Sequence, residues 1–450
     1  MSSINKSYTI TEYGGFVQKR PYNLPNNDYK SLPRHTFEAL ESFILTHKSK
    51  TGTEAVELLT ISVKRGQKVI TAQNYVGVIT MKDGTVIEIL PKIHGSVDTK
   101  PIFYEMLRAL KDIPFKEFNT SNLKTDRKNV LEVFILMFVN EVEVLVKQGL
   151  KSFYNTVEEN ERFFKGKLNV QQNIRHNYIH KERFYVQYDV WSVNRPENRL
   201  LKSTLLHLRK RTNDDRNWFK ISQLLSVFDG VDVSTDYKAD FSKCANNDRG
   251  TSHYQNALSW CKIFLCGNSF TPFAGSEKAV AFLFPMEIVF ESYVAEKLSR
   301  AIPYKMKINL QPQDKRHSLF EHQWVFGLRP DIVLTRGEYI IVMDTKWKLL
   351  SGEKKNNYNI SQEDMYQMYA YGKKYEARKV VLLYPQLESM RGEDISFSSK
   401  DGVTVEVWFI DLLDPDKGVE AIAKKVIKSF EDIPDSKKST NDLEQTAQKL

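Results

Sequence analysis

The sequence predicts a multidomain α/β protein with a β-rich amino-terminal region, a mainly helical middle region and a carboxy-terminal α/β domain. A chain of 450 residues, 41% of them hydrophobic, is long enough for two or three packed domains. Short β-branched runs bounded by turn residues dominate 54–90 and recur at 331–343, 380–385 and 403–410, whereas 101–150 and 197–230 follow helical patterns. The predicted division is therefore 1–128, 129–275 and 276–432, with a polar tail at 433–450.

The overall charge favours a polyanionic partner without identifying it. The formal net charge is +9 and the sequence pI is about 9.0. Such a surplus suits nucleic acid, but other basic proteins share it. Cys244, Cys261 and Cys266 show no zinc-site spacing, and a sparse, odd number of cysteines fits a reducing cytoplasm.

Neither a secretion signal nor a membrane span is predicted. The first ten residues lack an apolar core. The most apolar stretch, 130–150, is interrupted by charged residues that include Glu132, Glu141 and Lys147. It is therefore interpreted as a buried helix, and the protein as cytoplasmic with no membrane partner.

Residues 8–10 are predicted to form an edge strand, and 28–47 contain a helical pattern around Phe37 and Leu40. A β-hairpin follows, in which the turn 82–84, Lys-Asp-Gly, joins two β-branched runs at 75–81 and 85–90. Periodicity alone indicates an ordinary small β-domain here.

The middle region contains a basic and aromatic segment between Arg162 and Lys202. Lysine and arginine neutralise phosphates, aromatic rings stack on bases, and Gly166 would allow close approach of a partner. For any single side chain, a solvated charged face is the simpler interpretation. The segment holds Arg162, Lys165, Lys167, Arg175, Lys181, Arg183, Arg195 and Arg199, with Phe163, Phe164, Tyr178, Phe184 and Tyr185 between them. Later features are a helix at 197–230, a loop at 246–250, a helix at 252–266 and a junction at 267–275.

The carboxy-terminal domain is organised around the stretch 329–346. Two strands, 331–335 and 339–343, flank a turn at Arg336-Gly337. Pairing Thr335 with Glu338 would place Asp331 opposite Val342. Because side chains alternate along a strand, Asp344 and Lys346 share a face and Thr345 takes the other.

The predicted convergence of Asp331, Asp344 and Lys346 has a chemical meaning. Two carboxylates about 4 Å apart repel by roughly 4 kcal/mol at an effective dielectric constant near 20. Mg²⁺ relieves this repulsion, neutralises charge on phosphorus and acidifies the attacking water. The lysine can hold or deprotonate that water. The pattern thus fits phosphodiester hydrolysis, and the alternative is a surface ion pair at a strand end.

Flanking elements support a folded domain around these charges. A helix at 284–298, opened by Pro285, carries Glu291, and a second helix at 364–374 carries Gln367 and Tyr371 on one face. Strands are predicted at 380–385 and 403–410, with a helix at 419–430. The sequence contains no Gly-x-x-x-x-Gly-Lys-[Ser/Thr] motif, so the chain is not interpreted as its own NTP-driven motor.

Pro330-Asp331 followed by Asp344-Thr345-Lys346 resembles the signature of the PD-(D/E)XK nuclease superfamily. The resemblance implies that Asp331 and Asp344 bind Mg²⁺ with Glu291 in support, and that Lys346 positions water or stabilises the transition state. Gln367 and Tyr371 match the Gln-x-x-x-Tyr element of RecB-like members, where they shape the site or contact the DNA backbone. Lys348 is a candidate phosphate contact.

The order of motifs resembles the McrC family more narrowly. The motifs are Phe-Glu-x-Tyr-Val from Phe290, Arg-Pro-Asp from Arg329, Asp-x-Lys-Trp-Lys from Asp344, Asp-Met-Tyr-Gln-Met-Tyr-Ala-Tyr from Asp364 and Leu-Leu-Tyr-Pro from Leu382. The string from Gly77 to Ile93 resembles the amino-terminal part of that family, whereas Arg195-Pro-Glu departs from its usual Asp before Asn-Arg.

This resemblance implies a Mg²⁺-dependent DNA endonuclease subunit in a hetero-oligomer with a McrB-like AAA+ GTPase. That partner would recognise modified cytosine, and the amino-terminal region of this chain would dock with it and stimulate its GTPase. Two alternatives remain open: a self-sufficient RecB-like nuclease, or a non-catalytic adapter of an AAA+ motor. The intact acidic set disfavours the adapter.

Overall fold

The computed structural model describes residues 7–18, 29–51, 58–81, 83–93, 98–110, 130–244, 253–266, 279–320, 325–350 and 354–432. The predicted loop at 246–250, the junction at 267–275 and the tail at 433–450 lie outside these residues, as does Lys82 of the predicted turn.

The amino-terminal region is rich in strands, as predicted. Its elements are β1 (Ser7–Thr11), β2 (Gly15–Val17), β3 (Tyr29–Ser31), α1 (Arg34–Thr51), β4 (Leu59–Lys64), β5 (Gln67–Ala72), β6 (Tyr75–Met81), β7 (Val86–Leu90) and α2 (Lys100–Arg108). One sheet has the order β3-β2-β5-β4. In a second sheet, β6 and β7 form the predicted antiparallel hairpin and β1 lies at the edge, parallel to β7.

The middle region is built mainly from helices, in agreement with its helical patterns. Its elements are α3 (Val130–Gln148), β8 (Phe153–Glu161), β9 (Lys167–Leu168), α4 (Val170–Asn177), β10 (Phe184–Ser192), α5 (Pro196–Arg209), α6 (Asp215–Val227), α7 (Tyr237–Cys244) and α8 (Gln255–Cys266). The apolar helix α3 is buried in the largest hydrophobic core, as predicted. Across the residues that the structure describes, no helix is both long and apolar enough to cross a membrane.

The predicted continuous helix at 197–230 is wrong, because α5 and α6 are separate. Asp214 begins α6 by accepting hydrogen bonds from the backbone N–H groups of Arg216 and Asn217. An aspartate that caps one helix in this way interrupts the preceding helical pattern.

A small antiparallel sheet, of order β8-β10-β9, lies within the middle region and is not predicted by the sequence analysis. Gly166 lies beside this sheet with a φ of +67°, and a Cβ there would be 2.3 Å from the carbonyl oxygen of Gln187. The close backbone approach inferred for Gly166 is therefore made to β10 of the same chain, not to a partner.

The carboxy-terminal region contains β11 (Ala279–Pro285), α9 (Met286–Ala301), β12 (Asn309–Pro312), β13 (Ser318–Phe320), β14 (Val325–Gly327), β15 (Ile332–Arg336), β16 (Tyr339–Thr345), α10 (Gln362–Lys374), β17 (Lys379–Pro385), β18 (Ile395–Ser398), β19 (Thr404–Ile410) and α11 (Pro415–Glu431). Six of the strands form a mixed sheet of order β12-β15-β16-β17-β19-β18. One face packs with α9 and α11 in the largest core, and the other face packs with α10 in a separate core.

Strand β11 joins this region to the amino-terminal one. It pairs with β6 in antiparallel fashion along its whole length. Gly77 of β6 is required at this crossing, because its φ is +137° and a Cβ would lie 2.0 Å from the carbonyl oxygen of Phe282. Phe284 and Pro285 thus end a strand, and the helix predicted to start at Phe284 starts at Met286 instead.

The register predicted for the central hairpin is wrong by two residues. Thr335 pairs with Ile340, and the loop is Gly337-Glu338, with Gly337 at a φ of +61°. A glycine with positive φ at the first loop position suits a two-residue hairpin, which explains the displacement. Because a shift of two residues preserves the faces of a strand, Asp331 stays on the side of Asp344.

Candidate active site

A cleft of about 460 Å³ opens where β16 ends. Among its lining residues are Glu291 from α9, Asp331 before β15, Asp344 and Lys346 at the end of β16, and Gln367 from α10. The structure therefore brings together five of the six residues predicted to form a site. The sixth, Tyr371, lies one helical turn beyond Gln367 and is buried.

Asp331 and Asp344 form the acidic centre of the cleft. Asp344 is 2% exposed, in a strand whose preceding residues are apolar and buried. Burial raises the pKa of Asp344, and the charge of Asp331 raises it further. Burial also raises the pKa of Asp331, with an added contribution from the charge of Glu291. The two carboxyl groups resist simultaneous ionisation without a compensating cation.

Thr345 contacts Asp331 rather than pointing away from it. Its backbone N–H and its hydroxyl both donate to Oδ2 of Asp331, each at 2.7 Å. The expectation that Thr345 faces the opposite side is therefore wrong. Strict alternation fails at this point because β16 ends at Thr345 and Asp331 precedes β15.

Lys346 is the cation at the centre of the cleft. Its Nζ lies 2.7 Å from Oδ2 of Asp344 and 3.5 Å from Oδ1 of Asp364. Burial opposes its charged form, but the charge of Asp344, followed by the charges of Asp364 and Asp331, raises the pKa of Lys346 overall. The surrounding carboxylates therefore favour the ammonium form of the side chain, which donates hydrogen bonds.

Gln367 and Tyr371 hold the side chain of Lys346 through two successive hydrogen bonds. Nζ of Lys346 donates to Oε1 of Gln367 at 3.1 Å, and Nε2 of Gln367 donates to the hydroxyl of Tyr371 at 2.8 Å. These two hydrogen bonds also fix the orientation of the Gln367 side-chain amide. Burial raises the pKa of Tyr371, so that its hydroxyl stays protonated.

Glu291 lies at the edge of the same cleft. Its Oε1 accepts a hydrogen bond from Nε2 of Gln313 at 2.9 Å. After burial, its charge is the next cause that raises the pKa of Asp331. Glu291 therefore lies close enough to the acidic pair for its charge to affect the pKa of Asp331.

Asp364 lines the cleft but is not among the six residues predicted to form the site. It lies in the first turn of α10, where the N-cap Ser361 accepts a hydrogen bond from its backbone N–H. The available signal was its spacing, because residues three apart in a helix share a face and Gln367 follows at that distance.

The acidic pair has the donor chemistry for a hard divalent cation. Oδ2 of Asp344 is buried and its contact with Lys346 lies outside hydrogen-bond geometry. Mg²⁺ is commonly held by one or two carboxylates, with water and substrate phosphate completing its shell. Within the described ranges, no group of three or more His, Cys, Asp or Glu side chains is arranged to hold a metal ion. Asp331, Asp344 and Glu291, the three predicted metal ligands, are therefore not arranged as a three-carboxylate metal site.

Comparison with known proteins defines the class as a component of a restriction system. The chain belongs to the family described as McrBC 5-methylcytosine restriction system component, whose model matches residues 70–385. The resemblance to McrC that the motifs indicate is confirmed by this match, which includes all six predicted site residues. No curated protein matches the chain.

Two solved structures resemble this fold. A chain of the refined half-complex from the tetradecameric assembly of Thermococcus gammatolerans McrB AAA+ hexamers with bound McrC has a TM-score of 0.67 at 17% identity, covering 94% of this chain and 100% of that one. A chain of the cryo-EM structure of the Thermococcus gammatolerans McrBC complex has a TM-score of 0.50 at 20% identity, covering 66% of this chain and 88% of that one. These likenesses show the fold.

Proposed function

We propose that this chain is the DNA-cleaving subunit of a McrBC-type, modification-dependent restriction system, with a site of the PD-(D/E)XK type. The observation that carries the proposal is the acidic pair Asp331 and Asp344, buried beside the ammonium group of Lys346 at a strand end. A buried like-charge pair in a cleft, in a member of this family, is best explained by catalysis.

Asp331 and Asp344 are the residues that would hold Mg²⁺, with Glu291 in support. When bound, the metal would neutralise charge on the phosphate and lower the pKa of the attacking water. The raised pKa values of the two aspartates support this assignment, because a cation would remove the cost of ionising both.

Lys346 is assigned to charge stabilisation and water positioning rather than to proton abstraction. Its raised pKa keeps it protonated, so it donates hydrogen bonds toward the attacking water or the phosphate oxygens. Gln367 aims the ammonium group through its Oε1, and Tyr371 fixes Gln367 in turn. Asp364 adds a second carboxylate contact that limits the movement of Lys346.

The partner that this function requires is an AAA+ GTPase. The similar Thermococcus gammatolerans structure contains McrB AAA+ hexamers with bound McrC. This chain contains no Gly-x-x-x-x-Gly-Lys-[Ser/Thr] motif of its own. We propose the same kind of assembly here, with recognition of modified cytosine and movement of DNA supplied by the partner.

The test is cleavage of methylated and unmethylated plasmid in Mg²⁺, by the chain alone and with its AAA+ partner and GTP. The expected result is cleavage of methylated plasmid only when partner and GTP are both present. Asp344→Ala should abolish cleavage while partner binding and folding persist. Asp416→Ala, at an exposed acidic residue of α11, is the matched control and should cleave normally.

The other outcomes decide between the alternatives. Cleavage by the chain alone would keep the site but move the function to a self-sufficient nuclease. Cleavage by Asp344→Ala would overturn the site assignment. Stimulation of the GTPase without any cleavage would indicate a non-catalytic adapter.

A further inference from the structure

A second cavity, of about 300 Å³, adjoins the candidate active site. Trp347 and Lys348 line both the cavity and the cleft. Its remaining wall includes Glu12 and Tyr13, which follow β1, and Lys92, which follows β7. The cavity thus lies between the amino-terminal sheet and the segment that carries Lys346.

Glu12 fixes the wall of this cavity. It is 1% exposed, and its Oε1 accepts hydrogen bonds from Nε1 of Trp347 at 2.7 Å and from the backbone N–H of Lys92 at 2.8 Å. Its Oε2 is buried and has no hydrogen-bond partner among the described residues. A buried carboxylate with an unsatisfied oxygen is costly, which indicates that the position serves more than packing.

Trp347 is held from both sides. Besides its hydrogen bond to Glu12, its ring packs on Phe290 with 5.2 Å between the ring centroids. Phe290 and Trp347 directly adjoin Glu291 and Lys346 in the chain. The wall of the cavity is therefore tied to two residues of the candidate active site.

Tyr13 occupies a backbone conformation that favours glycine. It is the third residue of a turn closed by the hydrogen bond from N–H of Gly14 to the carbonyl of Thr11, and its φ is +61°. Its side chain is 52% exposed. A bulky residue at positive φ is strained, and such strain persists at functional positions.

The chemistry of the wall matches a nucleotide. Tyr13 and Trp347 offer aromatic rings of the kind that stack on bases, and Lys92 and Lys348 offer cations for phosphates. The volume is at the lower end of small-ligand pockets. Because the cavity adjoins the cleft, a nucleotide within a DNA strand fits this position better than a free nucleotide.

We propose that this cavity is a subsite for one nucleotide of the DNA strand next to the phosphodiester that is cleaved. Tyr13 and Trp347 contact its base or sugar, Lys92 and Lys348 contact its phosphates, and Glu12 is a positioning residue that holds Trp347. The proposal rests on the proposed function, and it adds a contact made by the amino-terminal region to the substrate.

The test measures DNA binding without cleavage, by fluorescence anisotropy of a short labelled duplex with the full chain in EDTA. Tyr13→Gly removes the ring and relieves the positive φ, so we expect binding about tenfold weaker with no loss of thermal stability. Tyr13→Phe keeps the ring and should bind as the wild type does. Tyr304→Ala removes a tyrosine that is 99% exposed and lines neither space, and is the control.

Lys92→Ala provides a second readout. It should lower the slope of log affinity against log salt by about one, as expected when one phosphate contact is lost. Wild-type affinity in Tyr13→Gly together with an unchanged salt slope in Lys92→Ala would overturn the subsite. A wild-type chain that binds no DNA would overturn it as well.

Cleavage with the AAA+ partner separates this proposal from the proposed function. If the wild type cleaves and Tyr13→Gly binds and cleaves equally well, the subsite is wrong and the nuclease assignment stands. If the wild type binds DNA through Tyr13 but never cleaves, the nuclease assignment is wrong and the cavity is a DNA-binding site without a neighbouring cleavage site.

Discussion

Two charged regions of this molecule differ in where their charges lie. At the end of β16, the side chains of Asp344 and Lys346 are 3% and 25% exposed. Beside the sheet β8-β10-β9, the ion pair of Lys165 and Glu161 has side chains that are 45% and 32% exposed. Both regions are strings of charged residues in the sequence. Only the first holds its charges inside the protein.

Burial gives the two regions different properties. Exposed ion pairs are screened by water and contribute little to stability. Buried carboxylates shift their pKa values and store electrostatic repulsion, which a cation or a substrate can relieve. Burial of charge, rather than charge density, therefore distinguishes the candidate site in this chain.

The largest expected difference is between the two lysines. Lys346→Gln should reduce the rate of plasmid cleavage by about 10²- to 10³-fold, because the ammonium group beside the acidic pair is lost. Lys165→Gln should cleave at the wild-type rate. Initial rates with the AAA+ partner and GTP measure both. Equal rates for the two variants would remove the functional distinction between the regions.

A smaller loss of cleavage rate is expected when Gln367, which contacts Lys346, is changed. Gln367→Ala removes the acceptor that aims Lys346, and cleavage should fall by roughly 10- to 100-fold, as for other supporting hydrogen bonds. Gln362→Ala, at an exposed position of the same helix, is the control. An unchanged rate in Gln367→Ala would show that Lys346 needs no such support.

Ionisation of the buried Asp344 should also make the thermal stability of the protein depend on pH. The folded pKa of Asp344 is raised above its ordinary value of 3.8, so the ionised group destabilises the folded chain. Asparagine imitates the protonated acid. In the absence of metal, the Tm of Asp344→Asn should exceed that of the wild type by a few degrees at pH 8. The excess should shrink as pH falls and vanish below about pH 4.

Thermal melts of both proteins across this pH range measure the effect. A Tm difference that does not depend on pH would mean that the Asp344 carboxyl is not the group responsible.

The smallest effect is expected in the exposed region. Lys165→Gln removes an ion contact of 2.9 Å with Glu161 and a cation–π contact with Tyr188, both at the surface. The Tm should not change measurably, because water replaces such contacts. A loss of several degrees would show that the β8-β10-β9 sheet depends on this pair.

Sequence patterns predicted the helices and strands in which the spacing of apolar side chains reflects burial. The runs that became β6, β7, β16 and β17 are β-branched and buried, so their strands were predictable. Helix α10 was predictable from its spacing, and the contact between Gln367 and Tyr371 follows from that spacing. Asp331 and Asp344 meet in one cleft as predicted, although Asp331 lies just before β15.

The remaining features depend on contacts that local patterns do not contain. Strand β8 has the sequence FYNTVEENE, which is polar on both faces and lacks the alternation of a half-buried strand. The pairing of β11 with β6 joins residues far apart in the chain. Thr335 was predicted to pair with Glu338 but pairs with Ile340. The difference depends on which loop residue adopts a positive φ.

Binding of Mg²⁺ by Asp331 and Asp344 is tested most directly by the effect of Mg²⁺ on the Tm of the full chain and of Asp344→Asn at pH 8. A ligand that binds only the folded state raises its stability. If Asp331 and Asp344 hold the metal, Mg²⁺ should raise the Tm of the wild type in a saturable manner and leave Asp344→Asn unchanged. An equal rise in both proteins, or no rise in either, would contradict the assignment of this acidic pair as the metal site.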